Sequence, residues 1–217
     1  MRDIFHDELD DIGKRVLEMT NLAAIAMQKA TQALLGANLT LADEVARDDR
    51  RIEALSNDLE ERSFQLIAQQ QPVATDLRVL ISTIHLGLDL ERMGGLANHV
   101  AKIARWRHPE RAVPPEARDV ISQMGDVALS LVDKVADVVD GRDVALAQAI
   151  EAEDDSMDAL RRKLLTLVLS DNWTRGTEAA IDMALLGRYY ERYADHAVSV
   201  ARQTIFIVTG EHPHVQH

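Results

Sequence analysis

Apolar residues recur at spacings of three and four along almost all of this 217-residue chain, and this periodicity constrains the fold more than any other feature. One such stripe, near the N-terminus, consists of Leu9, Ile12, Val16, Met19, Ala23, Ala26, Ala30 and Leu34. This spacing is typical of an amphipathic helix, and no alternating strand pattern is visible. Only ten glycines and five prolines interrupt it. The sequence therefore predicts an all-α protein.

The interruptions divide the pattern into six long helices. Gly36 is a helix stop, and Asn38 is a residue type that caps the start of the next helix. The predicted helices span residues 4–36, 39–70, 73–106, 116–140, 143–169 and 177–209, with boundaries good to about 2–4 residues. Helices of this length gain most of their stability from packing, so we expect them to form bundles.

The first half of the chain is repeated in the second half. Residues 19–55 align without gaps to residues 124–160, at an offset of 105. The third helix of each half repeats at an offset of 100, where the pattern GxxxER begins at Gly87 and again at Gly187. A unit of about 100 residues is too long for a solenoid repeat. The repeat predicts a tandem duplication of a three-helix bundle.

A proline-rich segment joins the two halves. Pro109, Pro114 and Pro115 oppose helix formation and favour an extended path. The predicted organisation is a first bundle over residues 1–107, a linker over 108–115, a second bundle over 116–210 and a flexible tail over 211–217.

Composition excludes several classes of protein. The formal net charge of −12 argues against binding to a nucleic-acid backbone, which requires clustered Lys and Arg. The absence of cysteine excludes disulfides, thiolate metal sites and thiol catalysis. The charged N-terminus does not resemble a signal peptide, and no apolar run approaches the length of a membrane span. We therefore expect a soluble, cytoplasmic protein.

Acidic pairs at i, i+4 spacing occupy comparable places in the two halves. These pairs are Asp49 with Glu53, Asp154 with Asp158, and Glu191 with Asp195. In the third helix the corresponding residues are Glu91 and Gly95, so one carboxylate is missing. Like charges four residues apart share a helix face and repel each other. Because they also lie close to the apolar stripes, we expect them to be partnered, protonated or bound to metal.

Two interpretations of these acids remain open. Oxygen donors from facing helices suit Mg²⁺, Mn²⁺, Zn²⁺ or non-haem iron, and His196 would add a nitrogen ligand beside Asp195. The alternative is a set of ordinary solvated helix acids with Arg92, Arg188 and Arg192 as neighbours. Glycine loops for phosphate binding, HExxH, GxSxG and paired Glu-x-x-His patterns are all missing from the sequence, which argues against an enzyme.

Four stretches, taken in order and together with the duplication, resemble the PhoU family of phosphate-uptake regulators over nearly the whole chain. They are QQQPVATDLR from Gln69, DLERMG from Asp89, YERYADHA from Tyr190 and IVTGE from Ile207. The resemblance implies two tandem three-helix bundles and a homodimer. It also implies a non-enzymatic cytoplasmic protein that represses the phosphate-starvation response and phosphate uptake, through contact with the phosphate ABC transporter and a sensor histidine kinase.

The resemblance further implies metal binding at acidic helix faces, by divalent or trivalent ions such as Fe, Zn, Mn or Mg. The ligands carried over are Glu191, Asp195, Asp154, Asp158, Asp49, Glu53 and Glu91. The family usually has Asp where this chain has Gly95, which implies a weaker or absent site in the first half. Such a metal would fix the acidic faces or bridge them to a partner or to a membrane surface. The alternatives are a metal-dependent bundle enzyme and a metal-free helical scaffold.

Overall fold

A computed structural model describes the backbone of residues 2–141 and 143–211, and their side chains except those of 2–4, 6, 148, 149 and 151–153. The helices are α1 (Arg2–Gly36), α2 (Leu39–Gln70), α3 (Thr75–Arg107), α4 (Pro115–Gly141), α5 (Val144–Val168) and α6 (Gly176–Thr209). The all-α prediction is confirmed, and each predicted boundary lies within two residues of the observed one. The predicted flexible tail spans residues 211–217. Apart from residue 211, it lies outside the described ranges.

The repeat is visible at the helix starts. Asn38 caps α2, where its Oδ1 accepts a hydrogen bond from the backbone N–H of Leu41 at 3.1 Å. Asp143 caps α5, where its Oδ1 accepts from the N–H groups of Ala145 and Leu146 at 2.9 and 3.1 Å. The two caps are 105 residues apart, so the second helix of each half begins at the same place in the repeat.

The close approach of neighbouring helices follows the same repeat. A methyl group on Gly87 of α3 would lie 3.2 Å from Cδ2 of Leu59 in α2. A methyl group on Gly187 of α6 would lie 3.3 Å from Cδ2 of Leu164 in α5. Glycine therefore permits the same tight helix contact in both halves.

The two halves share one continuous core. α1 packs on α4, and α3 packs on α6, in addition to the contacts within each half. The buried Tyr193 donates from its Oη to the carbonyl oxygen of Ala23 at 3.0 Å, and the Tyr190 hydroxyl lies 2.7 Å from Oγ1 of Thr31. Burial raises the pKa of both tyrosines, so both hydroxyls keep their protons. The proposed domain boundaries stay a prediction.

Arginine contacts join the ends of α3 and α6. In the last turn of α3, Arg107 donates from its Nε to Oδ2 of the buried Asp182 at 2.6 Å and also pairs with Glu178. At the opposite end of this helix pair, Arg78 donates to the carbonyl oxygen of Ile207 at 3.3 Å. These contacts fix how α3 lies along α6. In the described ranges, none of the helices is long and apolar enough to cross a membrane.

Candidate functional site

The structure brings the predicted first-half acids together around one cavity of about 550 Å³. It is lined by Asp49, Glu53, Glu91, Arg92, Gly95, Leu96, Arg192 and His196. These residues come from α2, α3 and α6, so the cavity lies where the two halves of the molecule meet. It mixes three carboxylates with two guanidinium groups, and its charge is therefore much less negative than the acidic pairs alone suggest.

Asp49 has a hydrogen-bond partner inside the protein. Nδ2 of Asn98 donates to Oδ2 of Asp49 at 2.6 Å, and Asn98 is only 9% exposed. Oδ1 of the same amide is buried and has no partner in the described part of the chain. The position of Gly95 is open toward this carboxylate, because a methyl group there would lie 4.0 Å from Oδ1 of Asp49. Sequence analysis did not identify Asn98, which lies one turn beyond Gly95 on α3.

The equivalent carboxylate of the second half has a different environment. The pKa of Asp154 is raised to about 6, mainly by burial and then by the negative charges of Asp195, Asp158 and Asp155, against a lowering effect of Arg202. The aspartates of α5 and α6 therefore lie close enough to repel one another.

Glu191 is held by two arginines. Its Oε2 accepts from Nη1 of Arg188 at 2.5 Å and lies 3.2 Å from Nε of Arg161, and its side chain is only 13% exposed. One turn further along α6, Oδ2 of Asp195 lies 3.2 Å from Nη1 of Arg192. Arg188 and Arg192, two of the neighbours named in the alternative interpretation, thus contact Glu191 and Asp195, although Glu191 is largely buried rather than solvated. Arg161 was not predicted as a partner of Glu191. The repeat did contain a signal, because Arg161 aligns with Ser56 of the first half.

His196 is used to join α6 to α3. Its Nδ1 lies 2.9 Å from Oδ1 of Asp89, and Ser199 donates from its Oγ to Oδ2 of the same carboxylate at 2.6 Å. Nearby, the rings of His99 and Tyr189 are in contact, with centroids 5.1 Å apart. His196 is predicted from sequence as a nitrogen ligand beside Asp195, whereas in the structure its Nδ1 contacts Asp89.

The acidic side chains of the two halves differ in their surroundings. No group of three or more described His, Asp or Glu side chains is arranged to hold an ion. In the second half, Asp154, Asp158 and Asp195 on α5 and α6 are oxygen donors of the type that small cations prefer, but they do not form such a group. In the first half, Asp49 is already hydrogen bonded and position 95 has no side chain, so the fit is poor.

Comparison with known proteins matches this arrangement of two equivalent halves. The model of the family described as the PhoU domain matches residues 16–104 and, a second time, residues 121–204. The chain belongs to the PhoU family. Each PhoU match covers one of the two predicted bundles without its outermost residues, as the internal repeat indicates.

Similar PhoU proteins extend over almost the full chain. The phosphate-specific transport system accessory protein PhoU homolog 2 of Mycobacterium tuberculosis is 48% identical over 213 residues, 98% of this chain and 100% of the relative. The PhoU homolog of Aquifex aeolicus is 35% identical over 217 residues, 96% of each chain.

Solved PhoU structures have the same fold. The crystal structure of PhoU from Pseudomonas aeruginosa superposes with a TM-score of 0.87 at 28% identity, over 95% of this chain and 100% of that one. The PhoU regulatory protein from Streptococcus pneumoniae gives a TM-score of 0.86 at 23% identity, over 97% of this chain and all of that one. The prediction of a PhoU-like tandem of three-helix bundles is confirmed. The metal role of the seven predicted ligands stays a prediction.

Proposed function

We propose that this chain is an accessory protein of a phosphate-specific transport system and a negative regulator of phosphate uptake. The observation that carries the proposal is the identity of 48% with a relative of that name over the relative's entire length. Identity at this level along both halves supports a common mode of action, because the residues that position the helices and their polar contacts lie throughout the chain.

The regulator acts in the cytoplasm without catalysing a reaction. Its functional contacts are with the phosphate ABC transporter and with a phosphate-sensing histidine kinase, and repression of the phosphate-starvation response follows from these contacts. Long helices with extended exposed faces suit such reversible contacts between proteins. The active unit is a homodimer, and contact with the membrane surface is limited to what binding to the transporter requires.

A cation has a structural role in this mechanism. Asp154, Asp158 and Asp195 would hold it between α5 and α6, and its charge would offset the repulsion that raises the pKa of Asp154. The bound ion supplies positive charge and coordination rather than a reactive group. Such an ion would offset the repulsion between the aspartates of α5 and α6 and so stabilise the acidic face of the second half.

Deletion of the gene tests the regulatory role. We expect a phosphate-responsive reporter to be active under replete phosphate in the deletion strain, and repressed when the wild-type chain is supplied from a plasmid. A reporter that stays repressed after deletion, in a strain without a paralogue, would contradict the proposal.

Complementation of the deletion strain with variants tests the role of the cation in the same reporter assay. Asp154→Asn combined with Asp158→Asn and Asp195→Asn removes the second-half carboxylates without changing their size, and we expect it to restore repression only weakly. The matched control is Asp155→Asn on the exposed face of α5, which we expect to complement fully. Equal complementation by both variants would remove the cation from the mechanism.

A further inference from the structure

We infer that one end of the second half is a docking surface for an amphipathic helix with acidic side chains, supplied by a partner protein. Four exposed apolar side chains form the centre of this surface, which is called the apolar end surface below: Trp106, Leu169, Ile181 and Leu185. The inference rests on the proposed regulatory function only for the role of the partner. The surface itself follows from exposure, helix register and charge.

The four side chains are well exposed to solvent. The exposed fraction is 82% for Leu169, 68% for Trp106, 55% for Ile181 and 37% for Leu185. Apolar residues that are exposed singly are common on protein surfaces, whereas a group of them beside charged residues marks a site for another protein. Because none of the four belongs to the buried core, a partner can cover them without rearrangement of the helices.

The end of α3 and the start of α6 lie side by side. Arg107 in the last turn of α3 donates to Asp182 near the start of α6. Trp106 and Ile181 directly precede these two residues, so they lie within about one helical turn of the same level. Leu185 follows Ile181 by one turn and shares its exposed face of α6. The side chains of α3 and α6 therefore form one group.

α5 brings Leu169 to the same end of the molecule. A methyl group on Gly187 of α6 would lie 3.3 Å from Cδ2 of Leu164 in α5. Because α5 and α6 are antiparallel, Leu169 lies further toward the start of α6, level with the apolar residues there. In the connecting loop, Nε1 of Trp173 donates to the carbonyl oxygen of Gly176 at 3.0 Å. The apolar end surface therefore spans three helices, and its backbone is held in place within the chain.

Uncompensated positive charge lies next to the apolar end surface. Arg161 and Arg188 both contact the carboxylate of Glu191, so two guanidinium groups share one negative charge. Arg162 is exposed and lies two turns before Leu169 on the same side of α5. Among the described residues it has no ion pair with a carboxylate. The three arginines are called the arginine band below, and they attract acidic side chains of a partner.

The arrangement of charge along α6 selects the length of the partner. Ile181 and Arg188 are seven residues apart, which is about 10 Å along the helix axis. Two turns of an amphipathic helix cover this distance with apolar side chains at spacings of three and four. Beyond the arginine band lie Asp154, Asp158 and Asp195. Acidic side chains are therefore favoured at the band and disfavoured beyond it.

The same charges argue against two other occupants. A second copy of this surface would bring its own arginine band against the first one, and like charges across an interface oppose association. An anionic membrane would repel the aspartates that follow the band and a chain whose net charge is −12. An acidic helix of limited length avoids both costs.

The first half has the apolar positions without the arginine band. At offsets of 105 and 100, Leu169 corresponds to Phe64 and Ile181 corresponds to Ile81, and both first-half side chains are exposed. The three positions of the arginine band have no cation in the first half. In the order of the chain they are Ser56, Asn57 and Leu88. The first half therefore supplies a matched control for every part of the surface.

Binding of a designed peptide to the full chain tests the surface directly. The probe is a fluorescein-labelled helical peptide with leucine at spacings of three and four and glutamate beside the leucines. The control peptide has lysine in place of each glutamate. We expect saturable binding of the glutamate peptide by fluorescence anisotropy, and at least about tenfold weaker binding of the lysine peptide. Equal binding of the two peptides, or no binding of either, would overturn the inference.

Matched apolar variants locate the bound peptide. Leu169→Ser with Ile181→Ser should weaken binding of the glutamate peptide by about tenfold or more, because it removes the centre of the surface. Phe64→Ser with Ile81→Ser is the control and should change the affinity by less than about twofold. All four side chains are exposed, and circular dichroism checks that the helices persist. Equal weakening by the two variants would place the peptide elsewhere and contradict the inference.

A charge variant tests the arginine band without touching the apolar side chains. Arg162→Asn with Arg188→Leu gives the second half the residues of the first half. We expect it to weaken binding of the glutamate peptide by about fivefold and to remove most of the preference over the lysine peptide. An unchanged preference would show that the band does not select the partner, and the inference would fail.

Two measurements without peptide test the other occupants. Sedimentation velocity compares the wild-type chain with Leu169→Ser plus Ile181→Ser, and flotation with phosphatidylglycerol vesicles compares the same two proteins. We expect no difference in either measurement. A dimer that this variant converts to monomers would identify a second copy as the occupant, and vesicle binding that it removes would identify the membrane. Either result would overturn the inference.

The reporter assay connects the surface to regulation. In the deletion strain, Leu169→Ser with Ile181→Ser should fail to restore repression, whereas Phe64→Ser with Ile81→Ser should restore it. Full complementation by both variants would show that no regulatory partner binds at the apolar end surface, and it would overturn the inference. A reporter that is repressed even in the deletion strain would instead refute the proposed function, and the peptide measurements would still decide whether the surface binds an acidic helix.

Discussion

The acidic faces of the two halves differ in which carboxylate is neutralised. In the first half, Asp49 receives the amide of Asn98, whereas in the second half its equivalent Asp154 lies among other aspartates. The glutamates show the opposite distribution. Glu191 is held by Arg161 and Arg188, while Ser56 and Leu88 occupy the corresponding positions in the half that contains Glu91.

This difference teaches that a duplicated backbone does not imply a duplicated site. The helix caps and the glycine contacts repeat, because packing depends on size and on helix geometry. The charges do not repeat, because a carboxylate can be satisfied by an amide, by a guanidinium group or by an ion. Four pairs of substitutions separate or sharpen these cases, and they follow in order of expected effect.

The largest effect is expected in the shared core. α6 has Tyr190 and Tyr193 where α3 has Leu90 and Met93. Tyr193→Ala should lower the free energy of unfolding by about 3–5 kcal/mol, because it leaves a cavity and breaks the contact of Tyr193 with α1. Met93→Ala is the matched change and should cost about 2–5 kcal/mol. Urea denaturation measures both, and a loss well below this range for either would show that its half contributes little to the core.

Breaking the ion pair between Arg107 and Asp182 should have the next largest effect on the free energy of unfolding. Arg107→Gln leaves the buried carboxylate of Asp182 without its cation, and we expect a loss of about 2–3 kcal/mol in the free energy of unfolding. At the other end of the helix pair, Arg78→Gln removes a hydrogen bond to a backbone carbonyl and should cost about 1 kcal/mol. Thermal and urea denaturation compare the two variants. Equal losses would show that the pairing of Asp182 adds nothing.

Neutralising the equivalent aspartates, Asp154 and Asp49, should change the free energy of unfolding in opposite directions. The pKa of Asp154 is raised from 3.8 to about 6, so the folded protein binds a proton that the unfolded chain has released within that interval. The free energy of unfolding therefore falls as the pH rises through it, and the whole penalty is present above about pH 7. In chelator, Asp154→Asn should stabilise the protein by about 1 kcal/mol at pH 8, after screening by solvent.

Asp49→Asn is the matched change, and we expect it to destabilise the protein by about 1 kcal/mol because the amide of Asn98 loses a charged acceptor. Melting temperatures across a pH series provide the measurement. The advantage of Asp154→Asn should vanish below about pH 3, where the carboxyl is protonated in both states. A destabilising effect of Asp154→Asn at pH 8 would contradict the prediction that the charge of Asp154 is unfavourable in the folded protein.

The smallest effect is expected at Glu191. Arg188→Leu and Arg161→Ser give the second half the residues of the first half, and each should cost about 0.5 kcal/mol because both arginines are partly exposed. The two losses should not be additive, since both arginines contact the same carboxylate oxygen. Denaturation in low and high salt measures them, and a loss that salt does not reduce would exclude an electrostatic origin.

The sequence predicted the helices and the repeat because both depend on local patterns. Apolar spacing, Gly36 and Asn38 determine where the first helices end and begin, and the structure follows them closely. The family was predicted for the same reason, since its motifs are short and contiguous. These features require no knowledge of which side chains meet across helices.

The partners of the acids were harder to predict because they come from distant positions. Asn98 lies 49 residues from Asp49, and Asp89 lies 107 residues from His196. The repeat itself held a signal, because Asn98 and Val198 differ at equivalent positions one turn after Gly95 and Asp195. A comparison of the halves at every position, rather than of their acidic residues alone, would have identified Asn98.

The continuous core has a consequence for how the two halves can change. In a dimer of identical bundles, every substitution is made twice and must be tolerated on both sides of the axis. Here the partners are covalently joined and pack through α1 with α4 and through α3 with α6, so a substitution is made once. One side is then free to lose a carboxylate while the other keeps it. The fusion turns a symmetric assembly into an asymmetric one, in which the acidic faces of the two halves differ.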